Sequence, residues 1–407
     1  MALYHRSLFF FAILPFAFLL GLPGQGSAAS GAAELISHGG YAVTANGVIL
    51  RSYNRDIAFA PASTIKLVTC LAALKTLGAD YRFTTTFYLD SNDILYIQGS
   101  GDPSLTSGDL AGIAAALARQ GLKAIRGLVL DAEAFSVDGP ADGTGNSVNP
   151  YDVVNGALAV NFNSLPIRVL ADRSVLSGEE ETPLLPLMRE IGRRLAPGSY
   201  RVNPGAFTSR QRLPATLRYT GELFTVMLRR QGISVAGGLQ AGRTPAGLKP
   251  FYTYTSEKTV EDLVRSCLHY SNNFLANQLF LVCGAHRLGW PAGWQKGRKA
   301  MREFIDTTWP HCRKAITMVE GSGLSRKDRI TPEAMLEVLT TFKPYADLLK
   351  TREGIPLKSG SLSGVHCYAG YFANENGLDP FVILLNQQEN TRDRILAMLQ
   401  TLHSTHL

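Results

Sequence analysis

The sequence predicts an α+β protein in which a domain of antiparallel sheet flanked by helices is split by an inserted, strand-rich accessory domain. Three observations carry this reading. A hairpin pattern lies near each end of the chain, an almost wholly apolar helix follows the first hairpin, and from about Tyr81 to Lys249 the texture turns to short strand-like pieces separated by Gly, Pro, Asp and Ser. The 407 residues suffice for two domains, and 45% hydrophobic with 18% charged residues is ordinary globular composition.

The elements follow in order. Arg6 precedes an apolar run from Leu8 to Leu20, Pro23 and Gly24 break it, and Gly26, Ser27, Ala28 and Ala29 offer a cleavage site. Residues 1–29 therefore read as a secretory signal. The run is short for a spanning helix, so no integral membrane span is expected in the mature chain, which should be periplasmic or otherwise exported. Cleavage removes one Arg and no acid, taking the formal charge from +7 to +6. So mild a surplus is that of a solvated surface near anionic envelope polymers and calls for no nucleic-acid partner.

"YAVTANGVILRSY" reads as two strands around Asn46-Gly47, a pair that accepts the positive φ angles of a tight turn. Ser63 to Leu77 is free of Gly and Pro and stops at Gly78, as a helix does. Its apolar positions cover most of its circumference, so it should be buried. Within the expected insert, 81–249, Leu110 to Arg119 is helical. The first domain then resumes over 250–407, joining 30–80, and helices return from Val260. In that part Thr331 caps a helix opened by Pro332. "VHCYAGYF" and "FVILLNQQ" around Asn376-Gly377 form a second hairpin, and a last helix runs from about Thr391 to Leu402. The five cysteines (Cys70, Cys267, Cys283, Cys312, Cys367) are an odd number, so at least one stays free, and their separations match no zinc pattern. A Cys283–Cys312 bridge is one pairing that the count allows. No metal or cofactor is called for.

The chemistry starts in "PASTIKLVTC". Residues i and i+3 share a helix face, so Ser63 and Lys66 can touch. A lysine held out of water has its pKa lowered and can accept the serine proton. The bland alternative makes Ser63 a helix cap and lets Lys66 reach solvent. Two further stretches weigh against it: Ser271-Asn272-Asn273 at the start of an apolar helical pattern, and Lys358-Ser359-Gly360 running into a strand. S-x-x-K, then S-x-N, then K-[ST]-G is the motif order of serine β-lactamases and penicillin-binding proteins.

Beyond the motifs, "FAPASTIKLVTCLAAL", "QGSGDPSLT", "GLVLDAEAF", "GALAVNFN", "EGSGLSRKDRITPEAM" and "KSGSLSGVHCYAGY" come in the order of corresponding blocks in one family. The chain resembles the low-molecular-mass class C penicillin-binding proteins, which are D-alanyl-D-alanine carboxypeptidases and endopeptidases. Ser271 lies 208 residues past Ser63, an interval that suits their inserted domain and exceeds that of class A β-lactamases. The resemblance implies a penicillin-binding-protein/β-lactamase-like transpeptidase fold, peptidoglycan peptides as substrates and β-lactam antibiotics as inhibitors.

By the same resemblance Ser63 is the acylating nucleophile and Lys66 its proton acceptor. Ser271 relays the proton to the leaving amine, and Asn273 holds a substrate amide. Lys358 stabilises charge, Ser359 bonds the substrate carboxylate, and Gly360 allows close approach. The backbone N–H groups of Ser63 and Ser361 form the oxyanion hole. The block beginning at Glu320, like Gly101-Asp102-Pro103, reads as structural. A Trp-Asp-Asp stretch that serves many members in binding the side-chain amine is replaced by "GPADGTGNSVNP", with Asp142 and Asp152 as weak substitutes. Two other readings share the fold. A β-lactamase would need a deacylating glutamate, which the sequence does not identify, and a non-catalytic wall-binding module would not need the intact motifs.

Overall fold

The computed structural model describes residues 27–145, 147–207, 213–375 and 377–406. The expected leader lies almost wholly outside these residues, as does Asn376 of the second hairpin.

After helix α1 (Ser27–Glu34), strands β1 (Gly39–Ala45) and β2 (Val48–Tyr53) form the first hairpin, and Asn46 (φ 50°) and Gly47 (φ 79°) supply its left-handed turn. A 3-10 turn, Ala62–Ile65, then leads into α2 (Lys66–Thr76). The intervening region contributes β3 (Arg82–Leu89), β4 (Ile94–Gly99), α3 (Ser107–Arg119), β5 (Gly127–Asp131), α4 (Ala215–Arg230), β6 (Leu239–Ala241) and β7 (Pro250–Thr259). These strands make a five-stranded sheet in the order β6-β5-β4-β3-β7. A separate three-stranded sheet uses residues 165–169, 175–177 and 198–202. Strand β7 lies beyond Lys249 yet pairs with β3 from Pro250↔Tyr88 to Thr259↔Arg82, so this sheet runs ten residues past the boundary read from the sequence. The Gly-Leu-Lys-Pro turn that suggested the boundary only precedes the last strand.

The chain continues through α5 (Val260–Tyr270), α6 (Asn273–Leu288), α7 (Trp294–Thr308) and α8 (Pro332–Phe342). It ends in β8 (Thr351–Arg352), β9 (Ile355–Leu362), β10 (Val365–Asn374), β11 (Gly377–Leu385) and α9 (Arg392–Ser404). A six-stranded antiparallel sheet, β8-β9-β10-β11-β1-β2, joins the two hairpins, β1 pairing with β11.

Strand alternation sends successive side chains of this sheet into two different cores. Ala42, Cys367, Ala369, Val382 and Leu384 pack against the helical layer of α2, α5, α6 and α8. Tyr41, Val43, Tyr368, Phe381 and Ile383 pack against α1 and α9. A further cluster, drawn from residues 87–235, fills the strand-rich region. That region is fastened to α6 by buried Gln278, which donates to the carbonyls of Gly101 (3.0 Å) and Gly156 (2.7 Å) and accepts from Asn155 (2.9 Å). All five cysteines are free thiols, Cys283 buried and Cys312 partly so, and no bridge joins that pair. Among the described residues no helix is long and apolar enough to cross a membrane.

Candidate active site

The start of α2 is built around an unusual turn. Ala62 is left-handed (φ 46°), a conformation that costs a non-glycine residue about 1 kcal/mol or more. Two glycines crowd it: a Cβ on Gly323 would lie 1.9 Å from the Ala62 carbonyl, and one on Gly360 would lie 2.7 Å from the Pro61 carbonyl and 3.0 Å from the Ser63 nitrogen. Only glycine lets β9 and the 320–325 loop press this closely on the serine's backbone.

The cap reading of Ser63 does not hold, because no side-chain cap bond closes this helix start and the Ser63 hydroxyl faces Lys66 instead. Lys66 is fully enclosed (0% exposed), so it does not reach solvent either. Its ammonium donates to Ser63 Oγ at 2.9 Å, Asn273 Oδ1 at 2.8 Å and the Ser322 carbonyl at 2.6 Å. Burial lowers its pKa, while buried Cys267, Glu320, Cys70 and Asp328 pull in the other direction.

Ser271 and Asn273 are presented by a two-residue junction between α5 and α6. The Ser271 N–H closes α5 on the Cys267 carbonyl, and Ser271 turns left-handed (φ 53°), breaking the helix. Asn272 caps α6 by accepting from the Leu275 N–H at 3.1 Å, which leaves Asn273 as the first residue of the next helix. Asn273 Oδ1 faces Lys66, and its Nδ2 makes no hydrogen bond among the described residues.

On β9, alternation turns Lys358 and Gly360 inward and leaves Ser359 and Ser361 exposed. Lys358 donates to Ser271 Oγ at 2.9 Å and to the Ser359 carbonyl at 2.7 Å. Burial, and then the neighbouring Lys66 charge, push its pKa down to about 7. All eight residues singled out in the sequence therefore meet where α2, the α5–α6 junction and β9 converge.

Two contributors were missed. Glu320 is buried and accepts from the N–H groups of Ser322 (2.7 Å), Gly323 (2.6 Å), Leu324 (2.8 Å) and Ser325 (3.2 Å). It thereby shapes the loop whose Ser322 carbonyl meets Lys66. Asp328, its buried neighbour, is pushed well above the usual carboxylate range by burial and by the Glu320 charge. The "EGSGLS" block carried that signal, but its glycines read as loop shaping because a backbone carbonyl has no sequence signature. Below the lysines, Cys70 and Cys267 form a hydrogen-bonded pair of buried thiols. Beside the junction a cavity of about 610 Å³ is lined by Tyr151, Phe162, Arg201, Tyr270, Ser271 and Asn273 among others. It separates the strand-rich region from the motifs.

Residues 36–184 and 198–357 match the D-Ala-D-Ala carboxypeptidase 3 (S13) family. The chain belongs to this family. It is a serine D-Ala-D-Ala peptidase by that membership. It is 26% identical over 393 residues to the D-alanyl-D-alanine carboxypeptidase DacB of Haemophilus influenzae, covering 81% of this chain and 80% of the relative. The fold is similar to the crystal structure of penicillin binding protein 4 of H. influenzae (TM-score 0.75, 21% identity, 93% and 99% of the two chains). It is also similar to a penicillin G-acylated predatory endopeptidase of Bdellovibrio bacteriovorus (TM-score 0.52, 17% identity, 90% and 89%). The six-stranded sheet with its helical layer and strand-rich region is thus the penicillin-binding-protein type of fold expected from the motifs.

Proposed function

We propose that Ser63 is the nucleophile of this peptidase and Lys66 the base that takes its proton. The observation that carries the reading is the enclosed Lys66 ammonium 2.9 Å from Ser63 Oγ, since a lysine without water around it gives up its proton far more readily than one in solvent. Ser63 attacks the carbonyl of a D-alanyl bond, its proton passes to Lys66, and the tetrahedral oxyanion lies against the N–H groups of Ser63 and Ser361. The contact of Gly360 with the Ser63 nitrogen supports this placement by bringing β9 beside that amide. Such donors are worth about 10²–10³ in rate.

Breakdown needs a proton on the leaving amine. Ser271, held by Lys358, is the relay, and Lys358, whose pKa of about 7 lets it gain or lose a proton near neutrality, recharges it. The open Nδ2 of Asn273 donates to the carbonyl of the acyl-side amide, and Ser359 to the substrate carboxylate. Water then releases the acyl group. The substrates are peptidoglycan peptides ending in D-Ala-D-Ala or cross-linked through D-alanine, met after export.

β-Lactams acylate the same serine because their ring carbonyl imitates the scissile amide while the leaving group stays tethered. We assign the strand-rich region, expected at 81–249 and extending through β7, to substrate selection, since all three motifs lie outside it and the aromatic cavity lies at its edge. The test is labelled penicillin followed by peptide mapping. A single covalent adduct on Ser63, absent from Ser63→Ala, is expected. An adduct on another residue, or one that persists in the variant, would sink the assignment.

A further inference from the structure

Arg392 opens α9 from the loop after β11, and its side chain crosses to the exposed edge of β9. Its Nη1 donates to Ser361 Oγ at 2.8 Å and to the Gly360 carbonyl at 3.1 Å. The guanidinium lies over the Tyr368 ring, 4.5 Å from its centroid. That ring is itself fixed: its hydroxyl donates to Asp393 at 2.8 Å and accepts from Arg352. Asp393 is thereby committed, because it also pairs with Arg352 at 3.1 Å.

Arg392 is left with no anionic partner. None of the ion pairs among the described residues includes it, its Nη2 makes no hydrogen bond, and its buried Nε is without a partner. A guanidinium has five donors in a rigid plane, and a carboxylate matches two of them side by side. Here two acceptors occupy only Nη1, and stacking on Tyr368 fixes the plane so that little conformational freedom remains to be lost on binding. The exposed hydroxyls of Ser359 and Ser361 line the same strand edge.

We infer that Arg392 is a specificity-determining residue that recognises the free carboxylate on the leaving side of the substrate, together with Ser359 and Ser361. The proposal rests on the peptidase reading above and deepens it. It makes the enzyme selective for a D-amino acid leaving group with an uncapped carboxylate over the same peptide ending in an amide. No bond to Arg392 is made or broken in the reaction.

The test compares kcat/KM for an acyl-D-Ala-D-Ala peptide and its C-terminal amide in wild type, Arg392→Gln and Arg392→Lys, with labelled-penicillin acylation and thermal unfolding run alongside. Wild type should prefer the acid. Arg392→Gln should lose about twentyfold on the acid, mainly through KM, and under about threefold on the amide. Arg392→Lys, which keeps the charge without the fork, should fall between the two. Equal losses on acid and amide would make Arg392 only a support for Ser361 and overturn the proposal. An undiminished preference for the acid in Arg392→Gln would overturn it as well, while normal hydrolysis and adduct formation would leave the peptidase reading standing. A wild-type protein that cleaves neither peptide and forms no adduct would remove both. Should Arg392→Gln unfold, Arg392→Lys decides: an acid preference equal to wild type overturns the fork recognition.

Discussion

Replacing Lys358 with methionine should stabilise the protein at neutral pH while abolishing its chemistry. Lys358 is 2% exposed, and its pKa falls from an ordinary 10.5 to about 7. Between those values the unfolded chain binds the proton more tightly than the folded one, so stability rises with pH across this window and is lost as pH falls toward 7. Taking 1.36 kcal/mol per unit, the enclosed lysine costs about 4 kcal/mol at pH 7 and about 2 kcal/mol at pH 9 relative to a neutral group. Methionine has similar length and no charge, but it forfeits the bonds to Ser271 and the Ser359 carbonyl, together about 2 kcal/mol. The variant should therefore be more stable by about 2 kcal/mol at pH 7 and nearly level at pH 9. Urea unfolding followed by tryptophan fluorescence at both pH values measures this, with penicillin acylation as the activity readout. A stability difference that does not change between pH 7 and pH 9 would refute the desolvation argument, and so would a variant less stable than wild type at pH 7.

Other outcomes follow from the same geometry. Lys66→Arg should lose acylation as fully as Lys66→Ala, because arginine keeps the charge yet cannot be deprotonated; near-wild-type acylation in Lys66→Arg would rule out the base role. Gly360→Ala puts a methyl group 2.7 Å from the Pro61 carbonyl and 3.0 Å from the Ser63 nitrogen, and should slow acylation at least about tenfold, read as the rate of penicillin adduct formation. An unchanged rate would mean that β9 does not position the serine. Glu320→Ala removes the acceptor for four backbone N–H groups and should cost about 3 kcal/mol or more in denaturant unfolding; a loss below about 1 kcal/mol would show that the loop holds itself. Recognition of a free side-chain amine should be weak, since Asp142 is engaged by Ser325 and Lys327, and Asp152 by the Gly145 N–H and Ser147. Peptides differing only in acetylation of that amine should differ in kcat/KM by less than about a hundredfold; a larger preference would reveal an acid that neither residue supplies.

What the sequence determined by itself is the part of the site that local rules govern. Ser63 and Lys66 meet because helical spacing puts i and i+3 on one face, and the Asn46-Gly47 turn and the Thr331 cap with Pro332 form from backbone preferences of a few residues. Alternation likewise turned Lys358 inward and Ser359 outward. The tertiary structure alone decided that Lys66 has no water, because its enclosure is completed by Asn273 and by the Ser322 carbonyl, 207 and 256 residues away. It also decided that β7 joins the strand-rich sheet beyond Lys249, that Cys283 and Cys312 stay apart, and that Arg392 reaches Ser361 unpaired. Dihedral preferences and side-chain spacing act over a turn or two of chain. Desolvation and charge pairing depend on every group within a few ångströms, whatever its position in the sequence, and they are what make an ordinary lysine a base.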